Sequence, residues 1–331
     1  MADLLTLRGL TVELPTPAGW VRPVNDVSLR ITEGEALGLV GESGSGKTMM
    51  ALAMMGLLPL GARVSGEARI ETRDGAKGTP LTRLTEHEWR AVRGRDVAMV
   101  FQEPMTALNP VMRIGAQIEE AVRAHESKLA QEEVRRRMLD SLRRAAVPEP
   151  EVRAEQFPHQ LSGGLRQRAM IAMALAGGPR LLIADEPTTA LDVTVQKQIL
   201  DLLDRLRREL KLGLLFITHD LGVVAQVADR VAVMYAGRIV EEGSVSDVLR
   251  APRHPYTQGL LAASPTLERG KLAPIPGTVP QLTALPPGCA FEPRCAMRVG
   301  ECLKRVPEMR DAGAEHGARC VLVGEATEAR R

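Results

Sequence analysis

The chain has 331 residues, 44% hydrophobic and 25% charged, the balance of a soluble globular protein long enough for about two domains. Its 43 basic and 41 acidic side chains leave a net charge of +2, and with two Trp, two Tyr and four Phe there is no aromatic-interleaved basic stripe, so a nucleic-acid partner is excluded. The longest apolar stretch, Met49 to Ala62, is broken by Gly56, Pro59 and Gly61 and is too short to span a bilayer; no signal peptide opens the chain, so membrane association is expected through a partner.

Residues 1–35 read as short strands, with Val27, Leu29 and Ile31 alternating, around the turn Pro15-Thr16-Pro17-Ala18-Gly19. Glu35 to Val40 is short and apolar, as in a buried parallel strand. It runs into Gly41-Glu42-Ser43-Gly44-Ser45-Gly46-Lys47-Thr48, which fits G-x-x-x-x-G-K-[ST]. Met49 to Leu58 then reads as a helix closed by Pro59. The glycines let backbone N–H groups turn toward one anion, and the helix N-terminus adds about half a positive charge there. In that pattern Lys47 reaches the outer phosphates and the Thr48 hydroxyl holds Mg²⁺.

Residues 64–101 continue the strands around the polar loop Thr72 to Pro80, and Val97 to Phe101 is a strand ending at Gln102. Residues 105–178 are helix-rich; the mixed-charge run Gln131 to Arg144 is a solvated helix face. Leu161-Ser162-Gly163-Gly164 precedes the helical run Arg166 to Ala176, a second helix N-terminus suited to an anion, though a plain cap explains it equally. Leu181 to Ala184 is an apolar strand stopping at Asp185-Glu186: the Asp is placed to hold Mg²⁺ and the Glu to polarise water, unless both form a solvated acidic turn. Leu215 to Thr218 is another such strand, ending at His219-Asp220, where α/β sites lie. Tyr235-Ala236-Gly237-Arg238 reads as a hairpin.

After about residue 250 the chain becomes proline-punctuated, from Pro252 through Pro265 to Pro287. Cys289, Cys295, Cys302 and Cys320, spaced C-x5-C-x6-C-x17-C, are the only cysteines. Without a secretion signal their clustering favours metal ligation over disulfides. The spacing lacks the paired knuckles of common zinc sites; four thiolates at irregular spacing can hold an iron–sulfur cluster, with zinc or unligated thiols as the alternatives. His316 is a possible fourth zinc ligand, but reads more readily as a solvated loop residue.

In order and approximate spacing, Gly41 to Thr48, Gln102, Leu161 to Gly164, Asp185-Glu186, Leu191-Asp192 and His219 resemble the ATP-binding cassette ATPases over about residues 1–240. Ser162-Gly163-Gly164, beginning 23 positions before Asp185, is the most specific of these features. Leu165 stands where many members have Gln, a departure shared with one subfamily. The resemblance implies an α/β phosphate-loop cassette: a RecA-like core, an antiparallel β subdomain and a helical subdomain at about 105–178, all within 1–250. A small Cys-containing extension, 251–331, follows.

The resemblance also assigns roles. ATP would be held by Gly41, Ser43, Gly44, Ser45, Gly46, Lys47 and Thr48, with Gln102, Asp185 and Asp192 nearby, and Mg²⁺ by Thr48, Gln102 and Asp185. Glu186, His219 and Gln102 would serve hydrolysis. Two cassettes would sandwich two nucleotides, Ser162, Gly163 and Gly164 completing the partner's site. Trp20 is the only aromatic near the position that stacks on adenine in the family; a hairpin packing role fits it as well.

Gln102 to Pro110, Phe157-Pro158-His159-Gln160 and His254-Pro255-Tyr256-Thr257 are similar to markers of the dipeptide and oligopeptide importer ATPases, whose extension has been proposed to carry a [4Fe–4S] cluster on cysteines such as these. That subfamily implies a second, related but different ATPase chain, two integral membrane permease subunits and an extracytoplasmic solute-binding protein. The protein would then sit at the cytoplasmic face of the inner membrane. The alternatives are an importer ATPase for nickel or another small solute, or a soluble ATPase without a transport role.

Overall fold

The structure, a computed structural model, describes residues 3–73, 78–189, 191–264, 273–313 and 315–323. Residues 74–77 of the expected polar loop, and Pro265, lie outside them. The chain divides into two compact units: the first comprises residues 1–5, 30–35 and 69–215, the second residues 6–29, 36–68 and 216–331.

The first unit is built on a parallel pair, Val97–Val100 beside Leu181–Asp185, in register from Val97 opposite Leu181 to Val100 opposite Ala184. Every residue of both strands is buried, which is why they read as unbroken apolar runs without alternation. The helices Ile114–Arg123, Gln131–Arg144, Pro150–Ala154 and Gly163–Leu175 belong to this unit. Gln131–Arg144 buries Val134, Met138 and Leu142, one per turn, and turns Glu133, Arg136, Asp140 and Arg143 outward in ion pairs, so the charged run is the solvated face expected.

In the second unit Ala36–Val40 pairs in parallel with Arg230–Tyr235, from Leu37 opposite Arg230 to Val40 opposite Val233. Arg230–Tyr235 and Arg238–Ser244 form the expected hairpin, with Ala236 and Gly237 both at positive φ, 44° and 86°. That turn matches the right-handed twist of the strands it joins. The C-terminal segment adds order that its prolines did not announce. His316–Ala318 pairs antiparallel with Arg238–Ser244, Ala318 opposite Glu241, and Arg310–Gly313 pairs with His316–Ala318 in turn.

Two polar anchors hold this extension. The fully buried Glu241 carboxylate accepts from the backbone N–H groups of Arg253 (2.6 Å) and His254 (2.9 Å) and lies 2.8 Å from His316 Nε2. His316 is therefore a buried strand residue on a carboxylate, not the solvated loop residue expected. His254 caps the helix Pro255–Ala263, its Nδ1 accepting from Tyr256 N–H at 3.0 Å. Its ring, with Tyr235 and Tyr256, surrounds Phe291, the centroids 5.9, 5.3 and 5.4 Å from the Phe ring.

Burial pushes the His254 imidazole down to about 3, so it stays neutral in the folded protein. Unfolded, it would take up a proton as pH falls through about 6.5. Stability from this site is therefore complete above about 6.5 and falls as pH drops toward 3. From pH 7 to 5 the loss is about 2 kcal/mol. The His254→Asn variant keeps a capping side chain but cannot titrate, and urea unfolding at the two pH values should show that increment shrink.

Candidate nucleotide site

The phosphate loop lies in the second unit, between the buried strand Ala36–Val40 and the helix Lys47–Met55. Two of its glycines are spatially required. A Cβ at Gly41 would meet Met234 O at 2.2 Å, and one at Gly46, whose φ is +108°, would meet Pro23 O at 1.9 Å. Gly44 is also left-handed, at φ +80°. No side chain caps the helix that follows and no acidic residue occupies its first turn, and its N-terminus presents the positive end of the helix dipole.

Lys47 is buried, with Nζ donating to Gly41 O (2.7 Å) and Glu42 O (3.1 Å). Ser45 is buried as well, and its Oγ finds no hydrogen-bond partner among the described residues. Backbone amides, an ammonium and an orphaned hydroxyl make a set that fits the oxygens of a phosphate chain. Thr48 stands exposed in the first helical turn. His219 is exposed, just past the C-terminal end of the strand Gly213–Thr218, and Asp220 beside it caps the helix Leu221–Val227 by accepting from Gly222 N–H at 2.7 Å.

The acidic residues lie in the first unit. Asp185 is buried at the C-terminal end of its strand, and Glu186 follows in the left-handed region at φ 45°. Left-handed backbone in a residue other than Gly persists where its surroundings hold it, and such sites are enriched where chemistry happens. Glu186 Oε2 accepts from Gln102 Nε2 (3.3 Å) and from Thr189 Oγ1 (2.9 Å), so one distant and one local donor fix the carboxylate. With its nitrogen on Glu186, the Gln102 amide has a side-chain oxygen of the kind that suits a hard cation.

Ser162 caps the helix Gly163–Leu175, its Oγ accepting from Leu165 N–H at 3.4 Å. A Cβ at Gly164 would meet Val195 Cγ1 at 2.8 Å, whereas Gly163 has ordinary room, its nearest neighbour being Leu191 Cδ2 at 3.6 Å. Phe157 to Gln160 forms a tight turn ahead of that helix, and Arg166 reaches back to the carbonyls of Pro158 and His159. Asp192 caps Val193–Leu210 by accepting from Val195 N–H at 3.0 Å. Within this unit a cleft of about 390 Å³ is bordered by Gln102, Met105, Gln167 and Thr189.

Trp20 lies 44% exposed, with the Arg63 guanidinium 3.9 Å over one face of its ring.

The four cysteines are free thiols, Cys302 and Cys320 buried and Cys289 and Cys295 partly so. Among the described residues no group of three or more His, Cys, Asp or Glu side chains is placed to hold a metal ion, so neither the iron–sulfur nor the zinc expectation is supported. The segment closes around Phe291 and a Cys289 N–H to Cys302 carbonyl bond of 2.8 Å instead. Burial, reinforced by the neighbouring sulfurs, pushes the Cys289 thiol up to about 11 and raises Cys295 and Cys320 too.

The phosphate loop is also held from the C-terminal segment. Glu42, its second residue, is gripped by the buried Arg294 in a two-pronged ion pair, Nη1–Oε2 2.6 Å and Nη2–Oε1 3.0 Å, and its N–H donates to Tyr256 Oη at 2.8 Å. The string around Tyr256 stands out in the sequence, but an arginine lying between cysteines does not.

Replacing Gly46 with Ala should displace the loop, since the added carbon would overlap a backbone carbonyl at a φ that side chains avoid. Titration with a fluorescent ATP analogue should show binding lost in Gly46→Ala.

The chain matches the ABC transporter family over residues 24–189, and the oligopeptide/dipeptide transporter C-terminal region over residues 240–302. It is 49% identical, over 96% of both chains, to a Brucella ovis protein provisionally named a peptide import ATP-binding protein. It is 48% identical to the oligopeptide transport ATP-binding protein OppD of Bacillus subtilis, over 97% of this chain and 89% of that one. Among solved structures it resembles a dimeric ATP-binding cassette in a post-hydrolysis state with ADP and Pi, at 29% identity and a TM-score of 0.63, covering 73% of this chain and 98% of that one.

Proposed function

The chain belongs to the ABC transporter ATPase family, and from that premise we propose that it is the ATP-hydrolysing subunit of a peptide importer. The match of residues 240–302 to the oligopeptide/dipeptide transporter C-terminal region carries the choice of peptide as cargo, because the cassette itself is common to many transported solutes. In this reading the cassette runs to about residue 250, with its helical subdomain at about 105–178, and residues 251–331 are the extension. It works beside a second cassette chain, two membrane-spanning permease subunits and an extracytoplasmic solute-binding protein. No helix among the described residues is long and apolar enough to cross a membrane, so the permeases supply the attachment to the inner face of the membrane.

Phosphoryl transfer to water asks for positioning and charge neutralisation more than covalent chemistry. Lys47, Ser43, Ser45 and the amides of Gly44 and Gly46 bind the triphosphate; when bound, Mg²⁺ neutralises developing charge, with Thr48, Gln102 and Asp185 the residues that would hold it. Glu186, already fixed by Gln102 and Thr189, orients the attacking water and takes its proton. His219 contacts the γ-phosphate. Ser162, Gly163 and Gly164 present a helix N-terminus to nucleotide on the opposite cassette, beside Asp192.

Co-purification of the chain with integral membrane subunits, and peptide-stimulated ATP hydrolysis by that complex, tests this reading; a chain that purifies alone and hydrolyses ATP at full rate would overturn the importer assignment. The Glu186→Gln substitution removes the charge that activates water and leaves the phosphate loop intact, so turnover should fall by about 10²-fold or more while ATP binding is kept. Gly163→Asp probes the sandwich. A side chain fits there locally, and a carboxylate favours its own helix N-terminus, yet it would oppose a γ-phosphate held by the other cassette. A folded Gly163→Asp protein that has lost ATP-dependent cassette pairing, measured by size-exclusion chromatography, is the expected result.

A further inference from the structure

The C-terminal extension touches the phosphate loop at one residue, and touches it twice. Glu42 is tied at three points. Its N–H donates to Tyr256 Oη at 2.8 Å, its carbonyl accepts from Lys47 Nζ at 3.1 Å, and its carboxylate receives both prongs of Arg294. Arg294 is itself immobilised. Its Nε donates to Pro276 O at 2.9 Å, its Nη1 lies 3.4 Å from Tyr235 Oη, and its side chain is only 4% exposed. The ion pair with Glu42 raises the guanidinium above its ordinary range, and burial holds the Tyr256 phenol in its neutral form.

We propose that Arg294 is a positioning residue for ATP: delivered by the extension, it neutralises the one carboxylate of the phosphate loop and, with Tyr256, sets the backbone on which Lys47 rests. The physical reason is charge. Glu42 is the only acidic residue between Gly41 and Thr48, and an uncompensated carboxylate there opposes a triphosphate carrying several negative charges. A two-pronged arginine is the side chain that cancels a carboxylate while fixing its orientation. The extension thereby becomes part of the nucleotide site, and its folding sets ATP affinity. The inference rests on ATP occupying this loop, which Lys47→Ala tests separately by abolishing binding whatever Arg294 does.

Full-length protein and its variants are to be titrated with a fluorescent ATP analogue, with thermal unfolding followed in parallel. Arg294→Met should bind about tenfold more weakly, equivalent to about 1.4 kcal/mol. Adding Glu42→Gln to it removes the uncompensated charge and should restore most of the loss, which a purely structural role for Arg294 would not allow. Arg294→Met binding as wild type, or a double variant no better than the single, overturns the proposal. Should Arg294→Met fail to fold, Tyr256→Phe keeps the aromatic packing and removes only the acceptor for the Glu42 N–H. It should weaken binding several-fold, and unchanged affinity in that folded variant would equally overturn the proposal.

Discussion

At Gly41 and Gly46 the chain passes so close to the carbonyls of Met234 and Pro23 that no side chain can be inserted, and the whole nucleotide site depends on that approach. A loop of this shape exists only because neighbouring backbone presses against it from outside, leaving its N–H groups to face the one remaining direction. Met234 belongs to the strand Arg230–Tyr235, paired in parallel with the strand that feeds the loop, so the sheet register and the loop's curvature are one constraint. The ammonium of Lys47 then rests on carbonyls whose positions that register has already fixed.

The Glu186 carboxylate, the proposed base, is held differently, by side chains instead of backbone. Glu186 sits in left-handed backbone, held by an amide from the end of one strand and a hydroxyl three residues on. A strained carboxylate with two fixed donors is pre-oriented, and pre-orientation is what a water-activating base requires, because reorganisation during the reaction would cost barrier height.

The cassette's working parts were readable because they are local. Strands buried on both faces appear as apolar runs, and the candidate site residues stand where those runs stop: Gln102 after Val97–Val100, Asp185 and Glu186 at the end of Leu181–Asp185, His219 after Gly213–Thr218. The extension hid its structure for the opposite reason. It has little periodicity, and its stability comes from contacts distant in sequence: Glu241 with His316, Phe291 with Tyr235, Arg294 with Glu42. Four clustered cysteines pointed to a metal as the organiser, yet buried aromatics and two satisfied carboxylates hold the described part together. Compositional clustering locates a segment that acts as a unit; it does not say what holds the unit.

A conformational change driven by ATP can be no larger than the difference in its affinity for two states. Gln102 is where such a difference can arise in this chain. Its amide is bonded to Glu186 here, and the same side chain starts the segment through Pro104–Ala107 to Asn109, whose backbone is tied to Gln117 on the helix Ile114–Arg123. The Glu186 carboxylate and the helix Ile114–Arg123 are thus joined through a short, hydrogen-bonded connection that begins at Gln102.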